Sequence, residues 1–186
     1  MTVHRVGAEA RLDSDIWLDR EVVVKQRVVK GYRHPDLDRS LQSFRIKNEA
    51  RLMFEARRAG IAVPVIYTVD IASGRLVMEE IPGVRVKDAL QDDAVNGAEV
   101  CSRIGDIAAR LHANDIVHGD LTTSNMLLDG DRIVLIDFSL GQKTSETEDK
   151  GVDMHLLEEA FRSAHHARGD LYEKVKESYV NGWPGG

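Results

Sequence analysis

The residue types that can do chemistry concentrate in positions 118–139. They read His-Gly-Asp-Leu-Thr-Thr-Ser-Asn, then Met-Leu-Leu-Asp-Gly-Asp-Arg-Ile-Val-Leu-Ile, then Asp-Phe-Ser. Asp120 is followed five positions later by Asn125, and a short apolar hairpin with Asp129-Gly130-Asp131 as its turn leads on to Asp137. A hairpin brings its ends together, so the spacing predicts Asn125 and Asp137 side by side, with Asp120 nearby. That gives two hard oxygen ligands and a third carboxylate. Mg²⁺ carrying a nucleotide's phosphates takes such a site, because phosphates and water complete its octahedron. Phosphoryl transfer also needs a carboxylate to orient the attacking hydroxyl. Singly, these residues read as two acidic turns flanking a core hairpin. Together, at this spacing, they favour phosphate chemistry.

The rest of the chain must position those groups. Its 186 residues suffice for one substantial core or for two small lobes sharing a cleft. Hydrophobic content of 42% predicts a globule, and a formal charge of −6 argues against a general nucleic-acid coat. Cys101 is the single cysteine, which excludes a disulfide framework and a cysteine metal cluster and suits a reducing cytoplasm. The first residues carry no apolar leader, and no apolar run approaches the ~18 residues of a membrane span.

Residues 2–6 and the regions 11–12 and 16–18 read as strands around a turn at 7–10, and 21–25 (Glu-Val-Val-Val-Lys) as the clearest strand. Lys25 shares a strand face with Val23, while Val22 and Val24 take the other. Asp36 or Asp38 caps a helix over 37–59, with Leu41, Phe44, Asn48, Leu52 and Ala56 as its buried face. Glu49 on this helix is the natural partner for Lys25; local pairs with Arg45, Lys47 or Arg51 are the alternative. Gly60 ends the helix. A hairpin over 65–80 turns at Ser73-Gly74 and runs into Met78-Glu79-Glu80-Ile81-Pro82-Gly83, which is either a hinge or a plain strand-ending turn.

Helices are expected over 86–91, 99–114, 152–166 and 171–180, with 142–150 polar and flexible. Val100, Ile104, Ile107, Ala108 and Leu111 form a coherent stripe, and Cys101 packs beside it. His165 and His166 are either a metal pair or, in better accord with a helix end, solvated histidines.

Three segments carry a resemblance to a known family: His-Gly-Asp-Leu-Thr-Thr-Ser-Asn at 118–125, Tyr-Arg-His-Pro-Asp-Leu-Asp at 32–38, and Glu-Asp-Lys-Gly-Val-Asp at 148–153. The chain resembles the KEOPS-complex kinases, also called p53-related protein kinases, in an archaeal form. The resemblance covers nearly the whole chain.

It implies an α+β fold, a minimal two-lobed protein-kinase-like architecture with a reduced C-terminal lobe. Residues 1–83 would be the N-terminal lobe, ending at the hinge, and 84–186 the helical lobe with the catalytic loop. It implies ATP and Mg²⁺ as cofactors. Lys25 and Glu49 would position the phosphates, Asp120 would be the catalytic aspartate, and Asn125 and Asp137 would hold the metal. Gly7 would lie in the glycine turn over the nucleotide. Met78 would gate the adenine pocket, with backbone groups of Glu79 and Ile81 on the base. Asp153 would brace the catalytic loop by accepting backbone hydrogen bonds. The implied role is a Ser/Thr kinase or ATPase in the cytoplasm, serving the partner subunit that makes threonylcarbamoyladenosine in tRNA, with tRNA met through the complex and no membrane.

The chain departs from ordinary kinases in several places. Gly119 stands where an arginine usually receives an activation-loop phosphate, Thr122 replaces a lysine, and Ser139 replaces the glycine of Asp-Phe-Gly. No Ala-Pro-Glu element follows, and the last residues, Asn-Gly-Trp-Pro-Gly-Gly, lack the family's basic tail. Two rivals are a small-molecule phosphotransferase of aminoglycoside or choline kinase type, and a non-catalytic adaptor. The short stretch after Asp137 counts against the first, and the intact Lys25, Asp120, Asn125 and Asp137 against the second.

Overall fold

The β-branched N-terminal stretches pair into one antiparallel sheet in a computed structural model that describes residues 5–6, 10–28, 34–165 and 170–183. Its strands are β1 (Arg5–Val6), β2 (Ala10–Trp17), β3 (Arg20–Arg27), β4 (Ile66–Asp70) and β5 (Arg75–Glu79), in the order β1-β2-β3-β5-β4. The two-residue period of β3 sorts its side chains. Val22 and Val24 bury with Val77, under Trp17 and Tyr67. Val23, Lys25 and Arg27 take the opposite face, and both cations are buried. The turn proposed at 7–10 lies outside the described residues except for Ala10, which already begins β2.

Between β3 and β4 runs α1 (Pro35–Arg58), with Asp36 and Asp38 in its first turn and Arg57 and Arg58 in its last. These charges complement the helix dipole. Gly60, at φ +77°, takes the left-handed conformation that ends it. The buried stripe is Ile46, Glu49, Met53 and Ala56, with Leu52 beside it. Phe44, expected inside, is 66% exposed. The expected stripe stepped mostly by four and so drifts around a helix of 3.6 residues per turn; the real one alternates three and four.

Contacts divide the chain into one unit of Met1–Arg51 and Pro64–Ile81 and another of Leu52–Val63 and Pro82–Gly186. The boundary read at 83/84 is therefore displaced to Ile81/Pro82, and 52–63 change sides. Leu52 packs against Gly141, and the Leu135 N–H donates to the Ala62 carbonyl at 2.9 Å.

The second unit comprises β6 (Val84–Arg85), α2 (Val86–Ala89), α3 (Gly97–Ala113), β7 (Ile116–Val117), a 3₁₀ turn at Thr123–Asn125, β8 (Met126–Asp129), β9 (Arg132–Leu135), β10 (Gln142–Lys143), α4 (Thr147–Ala164) and α5 (Asp170–Gly182). Asn96 caps α3 by accepting the Glu99 N–H at 3.3 Å. Val100, Cys101, Ile104, Ala108 and Leu111 form its buried side.

Two expectations fail here. The segment 142–150 is not a flexible loop: β10 pairs with β7, α4 has already begun, and buried Lys150 donates to Asp115 at 2.8 Å. His165 is not solvated but buried against the Phe161 ring, 5.4 Å between centroids. His166 lies outside the described residues.

Candidate active site

In the first unit, β3 and α1 bring three ionic groups together. Lys25 Nζ donates to Glu49 Oε1 at 2.6 Å, and an Arg27 guanidinium nitrogen donates to Glu49 Oε2 at 2.8 Å. All three side chains are buried, so each carboxylate oxygen is held by a charge-assisted bond. Arg27 was missed from the sequence. Its signal was the two-residue spacing from Lys25, which sets both cations on one strand face.

At the end of β5 the Glu79 N–H donates to the Val65 carbonyl at 2.8 Å, and the Glu79 carboxylate accepts the Val65 N–H at 3.0 Å. Met78 pairs with Val23 across the sheet. Ile81 lies beyond the ladder, and among the described residues its backbone N–H donates no hydrogen bond. An unspent donor of that kind is what a base edge needs. Gly7 lies outside the described residues.

In the second unit the hairpin does what its sequence suggests. β8 and β9 pair from Met126↔Leu135 to Asp129↔Arg132, and Gly130, at φ +58°, opens a two-residue turn. At the open end the Ile136 N–H donates to the Asn125 carbonyl at 3.0 Å, which sets Asp137 next to Asn125. The Asn125 side-chain amide donates to the Asp120 carbonyl at 2.9 Å and to its carboxylate Oδ2 at 2.7 Å. Nδ2 is spent on Asp120, which leaves Oδ1 as the side chain's acceptor atom. Asp137 sits at φ +63°, a left-handed conformation that aspartate tolerates better than most side chains. The Ser139 N–H donates to its Oδ1 at 3.3 Å. Ser139 itself needs no positive φ, so the missing glycine costs nothing in this conformation.

Asp153 braces this loop from α4. Its wholly buried carboxylate accepts the His118 N–H at 2.6 Å, the Gly119 N–H at 2.8 Å and His112 Nε2–H at 3.3 Å. Three donors thus satisfy one buried carboxylate. Gly119 sits at φ +78°, and a Cβ built on it would overlap the Leu140 carbonyl oxygen. The loop thus has no room for the arginine of ordinary kinases.

His118 is fully buried. Its Nε2 lies 3.0 Å from the Ile136 carbonyl, which can only accept, and its Nδ1 lies 3.3 Å from the Asp120 N–H, which can only donate. The ring is therefore the neutral Nε2–H form. Burial pushes its pKa below the ordinary 6.5, against smaller upward pulls from Asp153 and the Ile136 carbonyl. A base with a lowered folded pKa binds fewer protons folded than unfolded. Its contribution to stability is complete above pH 6.5 and is lost as pH falls from there toward the folded value. Wild-type unfolding free energy is expected to fall more steeply on acidification through that window than that of His118→Gln. Parallel slopes in denaturant titrations would contradict this.

Among the described residues no three His, Cys, Asp or Glu side chains cluster as an all-protein metal cage. Asn125 Oδ1 and the Asp137 carboxylate are instead two hard oxygens. Their chemistry fits Mg²⁺ shared with phosphates.

Solved structures show the same architecture. The Rio2 kinase–ADP/Mg²⁺–phosphoaspartate complex from Chaetomium thermophilum superposes with a TM-score of 0.73 at 17% identity, covering 95% of this chain and 60% of that one. WaaP in complex with acyl carrier protein gives 0.70 at 15% identity, over 97% and 78% of the two chains. The fold is thus protein-kinase-like, of mixed α and β structure. The RIO domain profile matches residues 15–161, and the chain belongs to the RIO-domain family. The mouse EKC/KEOPS complex subunit Tp53rkb is 44% identical over 184 residues, with 93% of this chain and 75% of that protein covered. A probable bifunctional tRNA threonylcarbamoyladenosine biosynthesis protein of Methanothermobacter thermautotrophicus is 43% identical over 174 residues. That match covers 93% of this chain but 32% of the relative, so the chain spans about a third of the archaeal protein.

Proposed function

We propose that this chain is an ATP-dependent phosphotransferase or ATPase of a KEOPS-type assembly in the cytoplasm, supporting threonylcarbamoyladenosine formation in tRNA. One observation carries the enzymatic part: Asn125 is bonded to the Asp120 carboxylate and, through Ile136, tied to the segment bearing Asp137. The names of the mouse and archaeal relatives support the assembly and the tRNA. Asn125 and Asp137 would hold Mg²⁺, whose chemistry is to neutralise charge on the phosphates. Lys25, held by Glu49, supplies a cation for the phosphates. Asp120, held by Asn125, orients the attacking hydroxyl or water. Met78, Glu79 and Ile81 would face the base, and Gly7 the phosphates.

The test is phosphate release from Mg-ATP by the purified chain, alone and with the threonylcarbamoyl-transferring partner and tRNA. Release that requires Mg²⁺ and rises with partner and tRNA is expected. No release under any of these conditions would overturn the reading.

A further inference from the structure

We propose that Tyr179, on α5, is a positioning residue for the catalytic loop, acting through His112 and Asp153. This rests on the turnover proposed above. His112 is wholly buried, and both ring nitrogens are engaged. Its Nε2 faces the Asp153 carboxylate at 3.3 Å, and its Nδ1 faces the Tyr179 hydroxyl at 2.9 Å. A carboxylate only accepts, so Nε2 carries the proton and Nδ1 accepts the phenol O–H in the neutral ring. The Asp153 carboxylate therefore sets the Nε2–H tautomer, and the Tyr179 hydroxyl, donating to Nδ1, holds the ring in the orientation that points Nε2–H at Asp153. The same Asp153 oxygen accepts the His118 N–H, and its other oxygen accepts the Gly119 N–H. These two amides immediately precede Asp120. Burial, with the Asp153 charge, raises the Tyr179 pKa, so the phenol remains a donor.

The contact is built rather than incidental. α3 and α5 approach closely where Gly105 leaves no room for a Cβ beneath the Val175 carbonyl. Ser102 and Ser178 hydroxyls bond at 2.6 Å, and Gly182 lies against the Ala109 methyl. Trp183 stacks on Tyr179 at 5.8 Å, and Lys150 Nζ sits 5.2 Å from the Trp183 ring centre. The Tyr179 ring is thus held in a three-ring cluster, with Trp183 stacked on it, His112 edge-on at 5.5 Å, and those two rings 6.5 Å from each other. None of this helps α5 bind a nucleotide, but it transmits the position of α5 to the loop.

The test compares Tyr179→Phe with Tyr172→Phe. Tyr172 lies on the same helix, but its hydroxyl donates to the Met154 backbone carbonyl rather than to His112. Tyr179→Phe is expected to lower kcat on the order of 10-fold, because small misplacements of a catalytic group are costly, with KM for ATP and thermal stability close to those of Tyr172→Phe. It should also shift the His118 and Gly119 amide resonances and the His112 ring nitrogens, which Tyr172→Phe leaves in place. Unmoved amides and ring nitrogens in Tyr179→Phe would overturn the relay, as would a kcat equal to that of Tyr172→Phe in an active protein. If the wild-type chain releases no phosphate, the proposed function fails, and the resonances alone decide whether the relay exists.

Discussion

Asp137→Ala is expected to abolish Mg²⁺-dependent ATP turnover while the protein stays folded. Asp137 is the one carboxylate that the β8–β9 hairpin sets beside Asn125. Without it, only an amide oxygen would remain of the two proposed metal ligands, and Mg²⁺ is usually held by one or two carboxylates plus phosphate. The substitution removes no buried hydrophobic packing. It does place alanine at φ +63°, which costs about 1–2 kcal/mol. Asp137→Asn separates the two effects, since asparagine tolerates this conformation but carries no charge. Both variants should lose turnover, and Asp137→Asn should keep near-native thermal stability. Undiminished turnover in Asp137→Ala would remove the metal assignment.

Gly119→Ala is expected to destabilise the fold by about 2–5 kcal/mol, the sum of a left-handed alanine and an overpacked contact. The glycine sits at φ +78° directly under the Leu140 carbonyl. Moving that carbonyl disturbs the segment following Asp137, while moving Gly119 strains the hydrogen bond from its N–H to Asp153. The first adjustment disturbs the Asp137 side of the site and the second the Asp120 side, so turnover should fall along with stability. Gly119→Arg, which restores the residue of ordinary kinases, should be worse still and should confer no response to phosphorylation. Urea unfolding checks this: a loss below about 0.5 kcal/mol for Gly119→Ala, the range of unremarkable surface changes, would contradict the steric argument.

The parts of the site legible in the sequence were those set by local geometry. A hairpin with a two-residue turn has a fixed register, so the neighbourhood of Asn125 and Asp137 followed from spacing alone. The facing of Lys25 followed from strand alternation. The bracing role of Asp153 came with the resemblance, and the structure shows the backbone bonds that constitute it. What spacing did not reveal depended on partners distant in sequence. Arg27 looks like a strand-end surface charge until α1 supplies Glu49. Phe44 looks like a core residue until two buried cations turn the Glu49 face inward. Residues 142–150 look like a polar loop, because neither the pairing of β10 with Ile116 and Val117 nor the Lys150–Asp115 bond leaves a periodic trace. Gly119 was read as a missing arginine. Its positive φ and the Leu140 carbonyl make it a requirement of the loop.

The most direct test of the enzymatic role is one variant, Asp120→Ala, with three readouts: calorimetric ATP binding, phosphate release, and modified nucleoside formed with purified partner subunits and tRNA. Only interactions stronger in the transition state raise the chemical rate, and in the proposed role Asp120 would orient the attacking group rather than hold nucleotide. Turnover is expected to fall ~10²–10⁴-fold, the range of a positioned acid–base group, with ATP affinity changed far less. Nucleoside modification should be lost. Normal modification by an Asp120→Ala protein that no longer releases phosphate would contradict the enzymatic role and leave the chain a nucleotide-binding adaptor.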